Sequence, residues 1–145
     1  MSPRFSLTRR VSFAAAHRYR RPEWSDEKNA EVFGPCARPN YHGHSYACDV
    51  TVTGPLDEQT GFVADLGLLD RVLRDEVHAR FDHANINLDV PEFADGKQIP
   101  SGENLARYVC ERVQRRLDDA LGAGALRVTR VTVAEDRTLS ATYEP

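Results

Sequence analysis

Residues 42–54, HGHSYACDVTVTG, alternate so regularly that they suit an extended strand and little else. His42, His44, Tyr46, Cys48, Val50 and Val52 fall on one face, and a helix would scatter the same six positions around its circumference. A second stretch, FSLTRRVSFAAAH at 5–17, behaves alike: Phe5, Leu7, Val11, Phe13 and Ala15 share one side, broken only by Arg9. His17 has the parity of Phe13, so the strand ends with an imidazole directed to its buried face.

Two one-faced strands need a layer to cover them, and the sequence supplies two helical stripes. Leu66, Leu69, Leu73 and Val77 recur at helical spacing behind a possible N-cap, Asp65. Ala106, Val109, Cys110, Val113 and Leu117 do the same behind Ser101, and the glycines in GAGA at 122–125 end that helix. LRVTRVTVAED reads as a third alternating strand and TLSATYE as a short fourth. The order β-β-α-α-β-β, with hairpins at both ends and helices on one face, gives an antiparallel α+β domain. At 145 residues the chain suits a single domain over 1–145. Residues 18–41 are polar, with Trp24 and Phe33 as anchors and a Gly34–Pro35 turn signal, and read as a long irregular insertion.

Charge and composition exclude several roles. A net charge of −3 disfavours a general nucleic-acid binder. The N-terminus carries no apolar targeting segment, and no stretch approaches transmembrane length, so a cytoplasmic protein with no membrane partner is expected. Three cysteines, an odd number, argue against a disulfide framework. Arg9, Arg10, Arg18, Arg20 and Arg21 cluster locally; they form a solvated surface or a funnel for a phosphorylated ligand.

Residues two apart on a strand project together, so His42 and His44 present paired imidazoles, and His17 ends the neighbouring strand on its buried side. Three such nitrogens suit zinc and leave one tetrahedral position open, the arrangement of catalytic sites. Cys48 has the right parity but lies about 13 Å beyond His44 along a strand, and is read with Cys110 as a small buried hydrophobe. His78, on a charged helical segment, is read as an ordinary surface residue. Spacing leaves two readings of Cys36: a loop cysteine, or a thiol acidified near the metal and able to act as a base. Asp82 and His83 are adjacent in RFDHANIN, where the carboxylate could hold a histidine tautomer. Glu135 closes the third strand on the face of Val131 and Val133; it suits a partner with two N–H groups, or is an exposed strand-end acid, the reading that pattern alone favours.

Taken together, FAAAH ending at His17, SDEKNAEVFGPCARPNYHGHSY, TGFVADL, FDHANINLDVPEFAD, SGENLARYV and the strand reaching AED resemble the 6-pyruvoyl-tetrahydropterin synthase family over nearly the whole chain. The resemblance implies the tunnelling fold, assembled as two stacked trimers with active sites at subunit interfaces. It implies zinc on His17, His42 and His44, Cys36 as catalytic base, and Asp82 with His83 coupled to it across a subunit boundary. It assigns Glu135 to the pterin ring, with Glu103 and Ser101 in the same pocket. The implied substrate is 7,8-dihydroneopterin triphosphate, which loses triphosphate to give a 6-pyruvoyl product.

6-Carboxytetrahydropterin synthase, of the 7-deazaguanine (queuosine) route, is the alternative; it also releases acetaldehyde. Cys36 stands six positions before His42, as in the pyruvoyl-forming group, where the carboxy-forming group usually has four. One departure from the family is Gly102, which stands where a hydroxyl residue is common. A non-catalytic pterin- or metal-binding module would not need Cys36, Asp82 and His83 together, and a zinc hydrolase would leave Cys36 and Glu135 unexplained.

Overall fold

The computed structural model describes residues 4–145. Strand β1 (Phe5–His17) pairs antiparallel with β2 (His42–Gly54) along their full lengths, from Phe5 opposite Gly54 to His17 opposite His42. Between them lies helix α1 (Asp26–Phe33), followed by a tight 3-10 turn over Gly34–Ala37. This corrects the reading of 18–41 as irregular. The helix carries no apolar stripe for periodicity to reveal; its one buried residue is Asn29. Ser25 caps it by accepting from the Lys28 N–H, and the Asn29 amide grips the Arg21, Trp24 and Ser25 carbonyls and the Arg21 N–H.

Helix α2 (Leu66–Leu73) is capped by Asp65, which accepts from Gly67 and Leu68. Its apolar stripe begins at Leu69, because Leu66, at the first helical position, is 39% exposed. The helix widens through a π turn at Arg74–His78 into α3 (Ala79–Phe81). A π turn inserts a residue into the helical register, and here Glu76 and Val77 are both buried. Burial alone would raise the Glu76 carboxyl, but hydrogen bonds from Arg112 and Arg116, with Arg80 beside them, hold it below the usual range.

Strand β3 (Ala84–Asn85) runs parallel to β1 at Ala15 and Ala16 and leads into α4 (Ile86–Asp89). Helix α5 (Gly102–Leu121) is capped by Ser101 and buries Leu105, Ala106, Val109, Cys110, Val113 and Leu117. The hairpin of β4 (Arg127–Ala134) and β5 (Ser140–Tyr143) completes a five-stranded sheet in the order β3-β1-β2-β4-β5. The expected β-β-α-α-β-β frame is therefore present, with the short elements as additions.

The core lies between the helices and one face of the sheet, where Phe13, Tyr46, Cys48, Val50, Val52, Val131 and Val133 meet Leu69, Phe81, Leu105 and Val109. Phe13 stacks between Tyr46 and Phe81 at centroid separations of 4.8 and 5.3 Å. Arg9, the one break in the β1 pattern, reaches Asp70 on α2 in a two-pronged ion pair. The other face of the sheet is a polar ladder, with Ser6–Thr53, Thr8–Thr51 and Thr132–Thr142 hydroxyl pairs at 2.6–2.8 Å. No helix among the described residues is long and apolar enough to cross a membrane.

Candidate functional site

The full-length β1–β2 register sets His17 directly across from His42, and His44 follows on the same face. Ring centroids are 4.6 Å apart for His17–His42, 5.1 Å for His17–His44 and 5.0 Å for His42–His44. One ligand atom from each ring lies within 4.8 Å of the others.

His17 is wholly buried, and its Nδ1 lies 2.8 Å from the Pro100 carbonyl oxygen. A carbonyl only accepts, so Nδ1 carries the proton and Nε2 keeps its lone pair, the usual second contact of a metal-binding histidine. Tyr46 adds a hydroxyl 3.1 Å from Nδ1. Burial, with smaller effects from the two neighbouring imidazoles, pushes His17 down to about 4. His42 is also lowered, by burial and by His44, with Glu135 opposing. Both rings are thus held neutral, the form that binds metals.

Nε2 of His44 is buried without a hydrogen-bond partner, since its nearest acid, Glu135 Oε2, stands 3.7 Å away, too far for a hydrogen bond. Leaving such a nitrogen unpaired costs about 1–3 kcal/mol. A cation between the three rings would remove that cost, and an all-imidazole donor set fits zinc. Cys48 contributes nothing here: it is fully buried in the core and its thiol is pushed up to about 12 by burial.

Beside the triad sits an acid and a thiol. Glu135 is only 8% exposed, which corrects the exposed strand-end reading. The reason is a contact from far along the chain, because the Tyr19 hydroxyl donates to Glu135 Oε1 at 3.0 Å. Cys36, half-buried on the 3-10 turn, accepts the Tyr19 N–H at its carbonyl at 2.7 Å. Burial and then the Glu135 charge raise its thiol above the ordinary range. Tyr19 itself is raised, first by burial and then by the Glu135 charge, with smaller effects from Cys36 and Glu103. Tyr19 escaped the sequence reading, although it continues the inward parity of Phe13, Ala15 and His17 beyond the strand.

Ser101 is engaged as the α5 cap, accepting from Asn104 N–H at 3.2 Å, and Glu103 is exposed in the first turn. Gly102 is buried against β5, where a Cβ would stand 3.1 Å from that of Ala141, so this position packs against the sheet.

Asp82 and His83 are not joined to this cluster within the chain. They sit at the sheet edge, where Asp82 Oδ1 accepts the Ala14 N–H at 3.0 Å and His83 N–H donates to the Ala14 carbonyl at 2.6 Å. His83 Nδ1 lies 2.8 Å from Asp82 Oδ2. His83 shares a shallow depression with Ala14, Ala16, Gly43, Ser45 and, from the histidine cluster, His44. Its backbone φ of 59° is one of two positive values among the described non-glycine residues, a strained geometry for a side-chain-bearing residue. His78 is exposed, as expected of a surface residue, and its Nε2 lies 3.3 Å from Asp82 Oδ2. The Asp82 carboxyl is held low by the Ala14 N–H first and His83 next.

Four of the five clustered arginines are matched with carboxylates: Arg9 with Asp70, Arg10 with Asp49, Arg18 with Asp95 and Arg20 with Asp26. That leaves little free positive charge for a phosphate funnel at this end of the molecule.

The family model described as 6-pyruvoyl tetrahydropterin synthase matches residues 6–145. The chain belongs to this family. The human 6-pyruvoyl tetrahydrobiopterin synthase is 40% identical over 111 residues, 77% of this chain and 75% of its own length. A Bacillus subtilis 6-carboxy-5,6,7,8-tetrahydropterin synthase is 30% identical over 116 residues, 79% of this chain and 68% of that one. The solved structure of the Caenorhabditis elegans 6-pyruvoyl tetrahydropterin synthase superposes with a TM-score of 0.88 at 30% identity, covering 99% of this chain and 97% of that one. The α+β architecture is accordingly the tunnelling fold of that family.

Proposed function

We propose that this chain is a zinc-dependent 6-pyruvoyl-tetrahydropterin synthase, a lyase that converts 7,8-dihydroneopterin triphosphate to 6-pyruvoyl-tetrahydropterin with elimination of triphosphate. The observation that carries the reading is the buried, unpartnered Nε2 of His44 within a three-histidine cluster, beside Glu135 and Cys36. The 40% identity to the human synthase supports the pyruvoyl assignment. The whole of 1–145 is read as one domain, and the cytoplasm as its compartment.

Zinc held by His17, His42 and His44 would act as a Lewis acid on the hydroxylated side chain of the substrate, making its C–H bonds more acidic. Glu135 orients the pterin, since a carboxylate with two acceptor oxygens matches the two N–H donors of the amino-pyrimidinone edge. Glu103 and Ser101 border the same pocket. Cys36 removes and returns the side-chain protons. Burial and the Glu135 charge raise its thiol in the chain alone, and a bound cation would oppose that shift. The Asp82–His83 pair serves as its proton partner from a neighbouring subunit: His83 is fixed through Nδ1 and presents Nε2 outward on an 85% exposed side chain. The redox change is internal to the substrate, so no nicotinamide or flavin takes part.

A homohexamer of two trimers suits the sheet. Strand β3 covers β1 only at Ala15 and Ala16, and β5 pairs only with β4, so both sheet edges are open to another copy.

The test is incubation of the zinc-loaded protein with dihydroneopterin triphosphate. One triphosphate released per pterin consumed, with a pyruvoyl product by mass and no acetaldehyde, is expected. Acetaldehyde and a carboxy product would select the alternative that the Bacillus relative represents, and no triphosphate release would overturn the synthase reading.

A further inference from the structure

We propose that Tyr19 is a positioning residue for the pterin-binding carboxylate: its hydroxyl fixes the rotation of Glu135 so that both oxygens meet a 2-amino-4-oxo-pyrimidine edge. The inference rests on the assignment of Glu135 to the pterin. Tyr19 is anchored on three sides. Its N–H bonds the Cys36 carbonyl at 2.7 Å, its ring meets His17 edge-on at 5.0 Å and Phe33 at 5.8 Å, and its hydroxyl reaches Glu135 Oε1 at 3.0 Å. One residue therefore ties the end of β1, the turn bearing Cys36 and the end of β4 together, by its backbone N–H and its side chain.

Glu135 needs such a tie. It is buried, no lysine or arginine among the described residues is ion-paired with it, and its only side-chain hydrogen bond is the one from Tyr19. A glutamate side chain has three rotatable bonds and a broad terminal torsion, so an untethered carboxylate would roll. Each carboxylate oxygen has two lone-pair sites. Oε1 can keep the Tyr19 hydroxyl and still accept from a pterin N–H, while Oε2 stays open on the His44 side. A held carboxylate also discriminates. A lumazine presents a carbonyl oxygen where a pterin presents its 2-amino group, and two acceptors facing each other repel; a carboxylate free to roll escapes that clash.

The experiment compares Tyr19→Phe and Glu135→Ala with the wild type, all zinc-loaded, using neopterin and its 2-oxo (lumazine) counterpart as non-reacting probes in fluorescence titrations. Tyr19→Phe is expected to weaken neopterin binding by about tenfold and lumazine binding much less, shrinking the preference between them. KM for dihydroneopterin triphosphate should rise by a similar factor with kcat within about twofold and zinc content unchanged. Glu135→Ala should lose neopterin binding outright. If Tyr19→Phe keeps the wild-type preference while Glu135→Ala loses binding, the role of Tyr19 is overturned and that of Glu135 stands. If Glu135→Ala binds neopterin normally, the Glu135 assignment fails and this proposal with it. Equal weakening of both probes, or loss of zinc, in Tyr19→Phe makes the residue merely structural and also overturns the proposal.

Discussion

His17 and His83 are both engaged through Nδ1, one by the Pro100 carbonyl and the other by the Asp82 carboxylate, yet their surroundings are opposite. His17 is wholly buried, packed edge-on among His42, His44, Tyr19 and Tyr46. His83 sits on the sheet edge with 85% of its side chain exposed. The first is fixed by packing, and its neutral state follows from desolvation. The second is held at its backbone, where its N–H donates to the Ala14 carbonyl and its φ is left-handed, while the adjacent Asp82 carboxylate accepts the Ala14 N–H. One half of the proposed site is thus complete within a single chain. The other is an ordered but uncovered half, and water there competes for every proton it would transfer. The proposed second copy would supply a low-dielectric environment for it.

The contrast can be broken most sharply at His17. His17→Ala removes a proposed ligand and leaves the Pro100 carbonyl and Tyr46 hydroxyl without their partner. We expect bound zinc and turnover to vanish together, and the unfolding free energy of even the metal-free protein to fall by about 2–4 kcal/mol. Metal analysis and denaturant unfolding read both. Cys36→Ala should separate chemistry from architecture: turnover drops by about 100- to 10,000-fold while zinc stays bound. Unchanged triphosphate release would return Cys36 to an ordinary loop residue.

The next effect is a pH dependence confined to the buried half. An unfolded histidine titrates near 6.5 and His17 in the fold at about 4, so the unfolded state binds more protons between those values. The stability contributed by the neutral ring is fully present above about pH 6.5 and is lost as pH falls toward 4. Metal-free wild type should lose about 1–3 kcal/mol more than a His17→Gln variant over that window, measured by urea unfolding at several pH values. His83→Ala should give the smallest structural effect, within about 0.5 kcal/mol of wild type with zinc retained, because an exposed side chain has little packing to lose. Its turnover should still fall by about 100-fold or more. A matching loss of stability would place His83 with the buried half.

How much of this was visible in the amino-acid order follows from the range of the interactions. Strands β1 and β2 and helix α5 announce themselves because burial repeats at a fixed period, and the three candidate ligands ride on that parity. Helix α1 does not, since a cap at Ser25 and one buried amide, Asn29, hold it in place of an apolar face. The π turn at Arg74–His78 is equally silent locally. It is bound up with the burial of Glu76 among Arg80, Arg112 and Arg116, two of which arrive from α5. Glu135 looked exposed because its partner Tyr19 lies 116 residues away, and pattern carries no information over that separation. Gly102, read as a departure from the pterin pocket, proves to be fitted to Ala141.

X-ray absorption at the zinc edge of the loaded protein addresses the centre of the account directly. Three imidazole nitrogens at about 2.0–2.1 Å with one light, exchangeable oxygen are predicted, leaving Cys36 free to carry protons. A sulfur scatterer at about 2.3 Å, or fewer than three nitrogens, would contradict it.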